Sequence, residues 1–325
     1  MNDQRPQEDI RAPKNNKNSL VSIAAVFAAL LLLVSYIVAL TKFVDEDSDQ
    51  DQSSTVESSL ESSGSVSSVV SETSQNQTEY KYYGALQLQE QPFSNAGVVN
   101  GSLALIDSSN YPIVDQERIV NIYSNRVGKV YGLANTSLVL YDEALRAIDA
   151  FIVSFYEQVP SNGLIIDKGY MRPEMISADD VKIDLTSGYS VQFAINSSPY
   201  KFSDSEFGYL RDQAYKYGVI QRYPADKDSF TGHSGNNTVY RYVGIAHSSY
   251  MNHYNLSLEE YIDKIKTNKV LEFESEIENG VAYVIYYVEL DEQVGTTYVP
   301  VPADGEYMIS GDGSDGYIVS VKVSV

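Results

Sequence analysis

Three histidines, no cysteine and many carboxylates bound the chemistry open to this 325-residue chain. Imidazole is the usual neutral metal ligand and general base, and the candidates are His233, His247 and His253. His247 and His253 are six residues apart, a spacing that does not make them neighbours on one helical face. His233 sits in a loop and is the one histidine placed to approach a site built by the segment that follows it. Arg172 and Arg222 have the planar fork that grips a carboxylate bidentately, or each forms a structural ion pair with one of the many acids. Tyr170 and Tyr189 either stack in a cleft on sugar or peptide or simply pack, in a chain with 27 tyrosines. Asp179-Asp180 and Asp312/Asp315 concentrate charge as calcium sites do. Neither has the calcium-loop spacing, so both are expected to be solvated turns.

Without cysteine there is no disulfide framework and no thiolate chemistry. The net charge of −21 excludes nucleic acid, whose phosphates need clustered Lys and Arg, and disfavours anionic headgroups as a partner of the folded part.

The elements that position these residues follow a long polar and apolar preamble. Residues 1–18 read as a short cytoplasmic tail. Residues 19–41 contain an apolar run, Leu20–Leu40, long enough to cross a hydrocarbon core of about 30 Å and too long for a cleaved signal of roughly 7–15 apolar residues. Arg5, Arg11, Lys14 and Lys17 precede it and only Lys42 follows closely, so the positive-inside rule predicts a single-pass membrane helix with a cytoplasmic N-terminus and an extracytoplasmic remainder. Residues 42–79, rich in Ser and acids, are expected to form a disordered tether.

Folded structure is expected from about Tyr80. Leu103–Ile106 and Ile113-Val114 read as short strands. Leu140, Ala144, Leu145, Ile148, Phe151, Ile152 and Phe155 recur at helical spacing, and Pro160 ends that helix. Leu164–Ile166 reads as a buried strand, and Val181–Ile195 as one or two strands. Ser203 and Glu206 predict a capping box, Gly218 a left-handed cap, and Val219–Tyr223 and Thr238–Val243 two further strands. Ser257 and Glu260 predict a second capping box. From Val270 the pattern is strand-like throughout, so 80–267 is expected as an α+β domain and 268–325 as a β-rich C-terminal extension.

Two segments carry a resemblance. Ser187–Asn196 reads SGYSVQFAIN and Asn236–Gly244 reads NNTVYRYVG. They resemble the S-x-H-x-x-G-x-A-x-D and E-x-x-H-F-R-Y-V-G signatures of the VanY-type D-Ala-D-Ala carboxypeptidases, the M15 metallopeptidase family. Leu210–Pro224 is similar to that family's W-L-x-x-N-A-x-K-Y-G-F-x-x-R-Y-P stretch, Leu256–Tyr261 to its L-T-L-E-E-Y, and Lys168–Arg172 to its S-G-Y-R-S with the arginine displaced by one. The ordered matches cover about residues 135–265.

The resemblance implies an α+β fold with a central antiparallel sheet and flanking helices. It implies one zinc held by two His and one Asp, a glutamate base, and a serine and an arginine that hold a D-Ala-D-Ala peptide. In this register Tyr189 and Val239 stand at the histidine positions, Asn196 at the aspartate and Asn236 at the glutamate. Tyr170, Arg172, Ser187 and Arg222 are the implied substrate contacts, although Ser187 reads equally as a strand-end hydroxyl. Catalytic zinc needs nitrogen, carboxylate or thiolate donors and an open position for water. Valine has no donor atom, asparagine offers a neutral carbonyl, and a tyrosine must lose a proton of pKa about 10. Loss of the base alone removes roughly 10²–10⁴ in rate, and loss of the ion removes the low-pKa water. The expectation is therefore a membrane-anchored domain with no catalytic residue and no bound zinc, acting on peptidoglycan stem peptides or an envelope protein by binding. The alternatives are an active enzyme with a relocated metal site that includes His233, and a protein-interaction module in the C-terminal β region.

Overall fold

The computed structural model describes residues 80–160, 163–176, 181–196, 201–202 and 204–325. The tail, membrane-helix and tether readings of 1–79, the Asp179-Asp180 pair and the Ser203 cap lie outside the described residues. No helix among the described residues is long and apolar enough to cross a membrane.

The chain opens with β1 (Leu88–Ser94), β2 (Ile119–Asn121), the short helix α1 (Ile122–Asn125), β3 (Gly132–Leu133) and β4 (Val139–Tyr141). Leu103–Ile106 and Ile113-Val114 are not strands: Leu103 is buried, but its N–H is taken by the Ser310 hydroxyl rather than by a neighbouring strand. Helix α2 (Asp142–Gln158) follows, with Asp142 and Glu143 complementing the positive end of its dipole. It buries Ala144, Leu145, Ile148, Phe151, Ile152 and Phe155 along one face, and Pro160 prevents its continuation.

Next come β5 (Leu164–Lys168), a 3₁₀ segment (Val181–Ser187), β6 (Ser190–Ile195) and α3 (Ser205–Gln213). Asp204 is the N-cap of α3. Gly218, at φ +74°, turns the chain into β7 (Val219–Tyr223), in the left-handed conformation that glycine adopts without cost. Helix α4 (Asp228–Thr231), β8 (Asn236–Tyr242), α5 (Ile245–His253) and α6 (Leu258–Asn268) complete this half. The Ser257/Glu260 capping box is formed at α6. Strands β9 (Val270–Glu274), β10 (Val281–Glu289), β11 (Thr296–Pro302), β12 (Tyr307–Gly311) and β13 (Gly316–Ser324) make up the rest.

A five-stranded sheet in the order β3-β5-β6-β8-β7 forms the centre. Only the β3–β5 pair is parallel. Its apolar face packs Val191, Phe193 and Tyr240 against Phe151, Phe155 and the rest of α2. A four-stranded sheet, β12-β13-β10-β9, follows. One face of it packs Tyr283, Ile285 and Ile318 on α5 and α6. The other packs Val284, Tyr286 and Val319 with Val299 and Val301 of β11. Alternate residues of β10 thus serve two cores. Strand β11 leaves this sheet to pair with β1, joining Leu88–Ser94 to Thr296–Pro302.

Asp312 is not a solvated turn residue. It is buried, its Oδ1 accepts the N–H groups of Ser314 (2.8 Å), Asp315 (3.0 Å) and Gly316 (3.2 Å), and its Oδ2 pairs with Lys266 at 2.7 Å. It organises the β12–β13 turn and neutralises a lysine, whereas Asp315 is exposed.

Candidate functional site

Strands β6 and β8 pair with Ser190 opposite Arg241, Val191 opposite Tyr240 and Gln192 opposite Val239. Alternation sends Val191 and Tyr240 toward α2, and Ser190, Gln192, Val239 and Arg241 to the opposite face. On that face Asp184 is fully buried, and its Oδ1 accepts from Arg222 Nε (2.8 Å) and Arg241 Nη1 (2.7 Å). The Ser190 hydroxyl donates to its Oδ2. Burial would raise the Asp184 carboxyl; the Arg241 and Arg222 charges and the Ser190 hydroxyl outweigh it and hold the group below the usual carboxylate range. Arg241 also donates to the carbonyls of Ser102 (2.9 Å) and Ala104 (2.9 Å). Arg222 Nη2 donates to Glu259 at 2.7 Å.

The register changes the assignment of the first signature. Tyr189 precedes β6 and Asn196 follows its last residue. At about 3.3 Å per residue, their seven-residue separation along extended chain is about 23 Å, so they cannot share one ion. Gly188, at φ +76°, is the position whose backbone favours glycine, and a Cβ there would lie 2.9 Å from the Tyr141 ring. Sliding S-x-H-x-x-G-x-A-x-D back by four residues puts Gly188 at the glycine, Ser190 at the alanine, Gln192 at the aspartate and Leu185 at the histidine. Gln192 then faces Val239, the second histidine position, across a strand pair. In the sequence the signal for this register is the glycine at 188, four residues before Gln192.

Leu185 and Val239 are fully buried and carry no donor atom. Gln192 Nε2 donates to Thr238 Oγ1 (3.4 Å), and its buried Oε1 has no hydrogen-bond partner among the described residues. Asn236 Oδ1 accepts from the Thr238 N–H (2.9 Å) and hydroxyl (2.7 Å). Two hydrocarbon side chains and a neutral amide do not fit zinc. Among the described residues no group of three His, Asp or Glu side chains is arranged to hold a metal.

The other named residues are dispersed. His233 lies edge-on to Tyr223, with ring centroids 5.0 Å apart. His247 is buried, with Nδ1 2.6 Å from the Tyr261 hydroxyl, and burial pushes its pKa down to about 3. His253 is exposed and 3.0 Å from Glu276. Arg222 forms the ion pair rather than an open grip. Ser187 is buried, and its hydroxyl accepts the Tyr189 N–H at 3.0 Å. Tyr170 is half-buried and Arg172 exposed. Tyr189 packs 4.6 Å from Tyr141, ring to ring, and burial pushes its phenol well above the ordinary value, so it offers no phenolate.

The scaffold is a central mixed sheet backed by one long helix and followed by the capped helix α6. The vancomycin-resistance D,D-dipeptidase VanXYg, solved with a D-Ala-D-Ala phosphinate analogue, superimposes with a TM-score of 0.57 at 21% identity, covering 73% of this chain and 100% of that one. No family model matches the sequence. A D-alanyl-D-alanine carboxypeptidase of Enterococcus faecium is 30% identical over 247 residues, 72% of this chain and 79% of that protein. One from Enterococcus faecalis is 42% identical over 60 residues, 18% of this chain and 22% of that protein. The chain belongs to the VanY-type D-alanyl-D-alanine carboxypeptidase family.

Proposed function

We propose that this chain is a membrane-anchored, extracytoplasmic member of the family that binds peptidoglycan stem peptides without hydrolysing them. The observation that carries this reading is the cross-strand pair Gln192–Val239. It occupies the place where an aspartate and a histidine would meet on one ion, with Leu185 at the third ligand position and Asn236 at the base. Without a metal-bound water or a carboxylate base, the scaffold has no nucleophile to deliver. The bound D-Ala-D-Ala analogue in VanXYg supports a peptide terminus as the ligand, and Tyr170 and Arg172 are exposed enough to contact it. The apolar run 20–40 with its basic N-terminal flank supports the anchor.

The test is zinc content and D-Ala release on the full-length chain, with a synthetic peptide ending in D-Ala-D-Ala. The expected result is no bound zinc and no D-Ala released, with the peptide still bound in calorimetry. Stoichiometric zinc that a chelator removes together with D-Ala release overturns the reading. Loss of that zinc in His233→Ala would assign a relocated metal site.

A further inference from the structure

A second site lies on the α2 side of the five-stranded sheet, away from the Gln192–Val239 pair. A cavity of about 710 Å³ opens between the first turn of α2, the β6–β8 end of the sheet and β12. That is the size of a typical ligand cleft. Leu185, Gln192, Asn236 and Val239 do not line it. Its inner wall is a ladder of three tyrosines. Tyr141 and Tyr189 have ring centroids 4.6 Å apart, and Tyr189 and Tyr242 stack at 6.4 Å with planes 28° apart. Tyr242, the last rung, is half-buried, and the one bond found for its hydroxyl reaches only Met308 Sδ at 4.0 Å, a weak acceptor.

The charged groups are Asp115, Glu143 and Arg118. Arg118 pairs with Glu143, which also accepts from the Tyr189 hydroxyl at 3.4 Å. Two carboxylates against one guanidinium leave the lining net negative, which repels a free carboxylate terminus. Planar acceptors and donors around aromatic rings instead suit a ligand with an apolar C–H face and a belt of hydroxyls. We propose that this cavity binds a neutral pyranose ring, stacked on Tyr242 and hydrogen-bonded by Glu143 and Asp115. Because β12 builds one wall, the C-terminal β segment is part of the site.

The test is calorimetry on the full-length chain in a sugar-free detergent, with cellotriose and triacetylchitotriose as separate probes. Binding of either is expected, and the stronger probe tells whether an acetamido group is recognised. Tyr242→Ala and Glu143→Gln should each weaken binding about tenfold or more, with Glu143→Gln the variant that keeps the aromatic packing intact. Gln192→Ala, on the other face, should leave sugar binding unchanged and serves to separate this site from the peptide site. Failure of the wild-type chain to bind both sugars, retention of full affinity in Tyr242→Ala and Glu143→Gln, or displacement of the sugar by a D-Ala-D-Ala peptide would each overturn the proposal.

Discussion

The two faces of the central sheet are buried by opposite means. Toward α2, Val191, Phe193 and Tyr240 meet Phe151 and Phe155 in an apolar core. On the reverse, Asp184, Arg222 and Arg241 form a buried ion network beside Gln192 and Val239. The apolar face tolerates conservative change because its stabilisation is non-directional. The ionic face does not, because every charge in it depends on a fixed partner. The reverse face is therefore held by the Asp184 network, with no donor atom needed from Leu185 or Val239.

The largest expected change is a gained ion. Leu185→His, Gln192→Asp and Val239→His combined should bind about one zinc per chain, measured by metal analysis after dialysis, whereas Tyr189→His, Asn196→Asp and Val239→His combined should bind none. Zinc in the second variant and not in the first would refute the four-residue shift. Next, Arg241→Ala removes one of the two guanidinium partners of Asp184 and the donor to the Ser102 and Ala104 carbonyls. It should cost about 3–5 kcal/mol in urea unfolding, against less than about 1.5 kcal/mol for a volume-conserving swap such as Ile148→Leu on the α2 side.

The pH response distinguishes the buried groups further. His247 is neutral when folded, with a pKa near 3, while the unfolded chain takes up the proton near 6.5. Its contribution is complete above about pH 6.5 and is lost as pH falls, by about 2 kcal/mol between pH 7 and pH 5. Asp184, also depressed, adds to the loss only at more acid pH. His247→Asn should flatten the urea midpoint between pH 7 and 5; an unchanged slope would place the titration elsewhere. The smallest effect is Ser257→Ala, which opens the α6 capping box and should cost about 1 kcal/mol in the same assay.

Elements with local causes were legible in the sequence. The α2 stripe, the Gly218 turn, the Ser257 box and the late strands each follow from residues within a few positions of one another. Leu103–Ile106 failed because the Leu103 N–H is taken by the Ser310 hydroxyl, 207 positions away, instead of by a neighbouring strand. The position of Asp312 failed for a similar reason: Lys266, on α6, makes its burial affordable. In the candidate site, only pairing across strands tells which of two offset positions, Gln192 or Asn196, meets Val239.

The pairing of β1 with β11 also has a consequence for biogenesis. A chain made N-terminus first presents Leu88–Ser94 roughly two hundred residues before Thr296–Pro302 exists to receive it. Contacts of such long range slow folding. The first strand must therefore wait, with its edge open, until residues 296–302 have emerged, and a ribosome stalled before residue 296 would hold a molecule whose first strand has no partner.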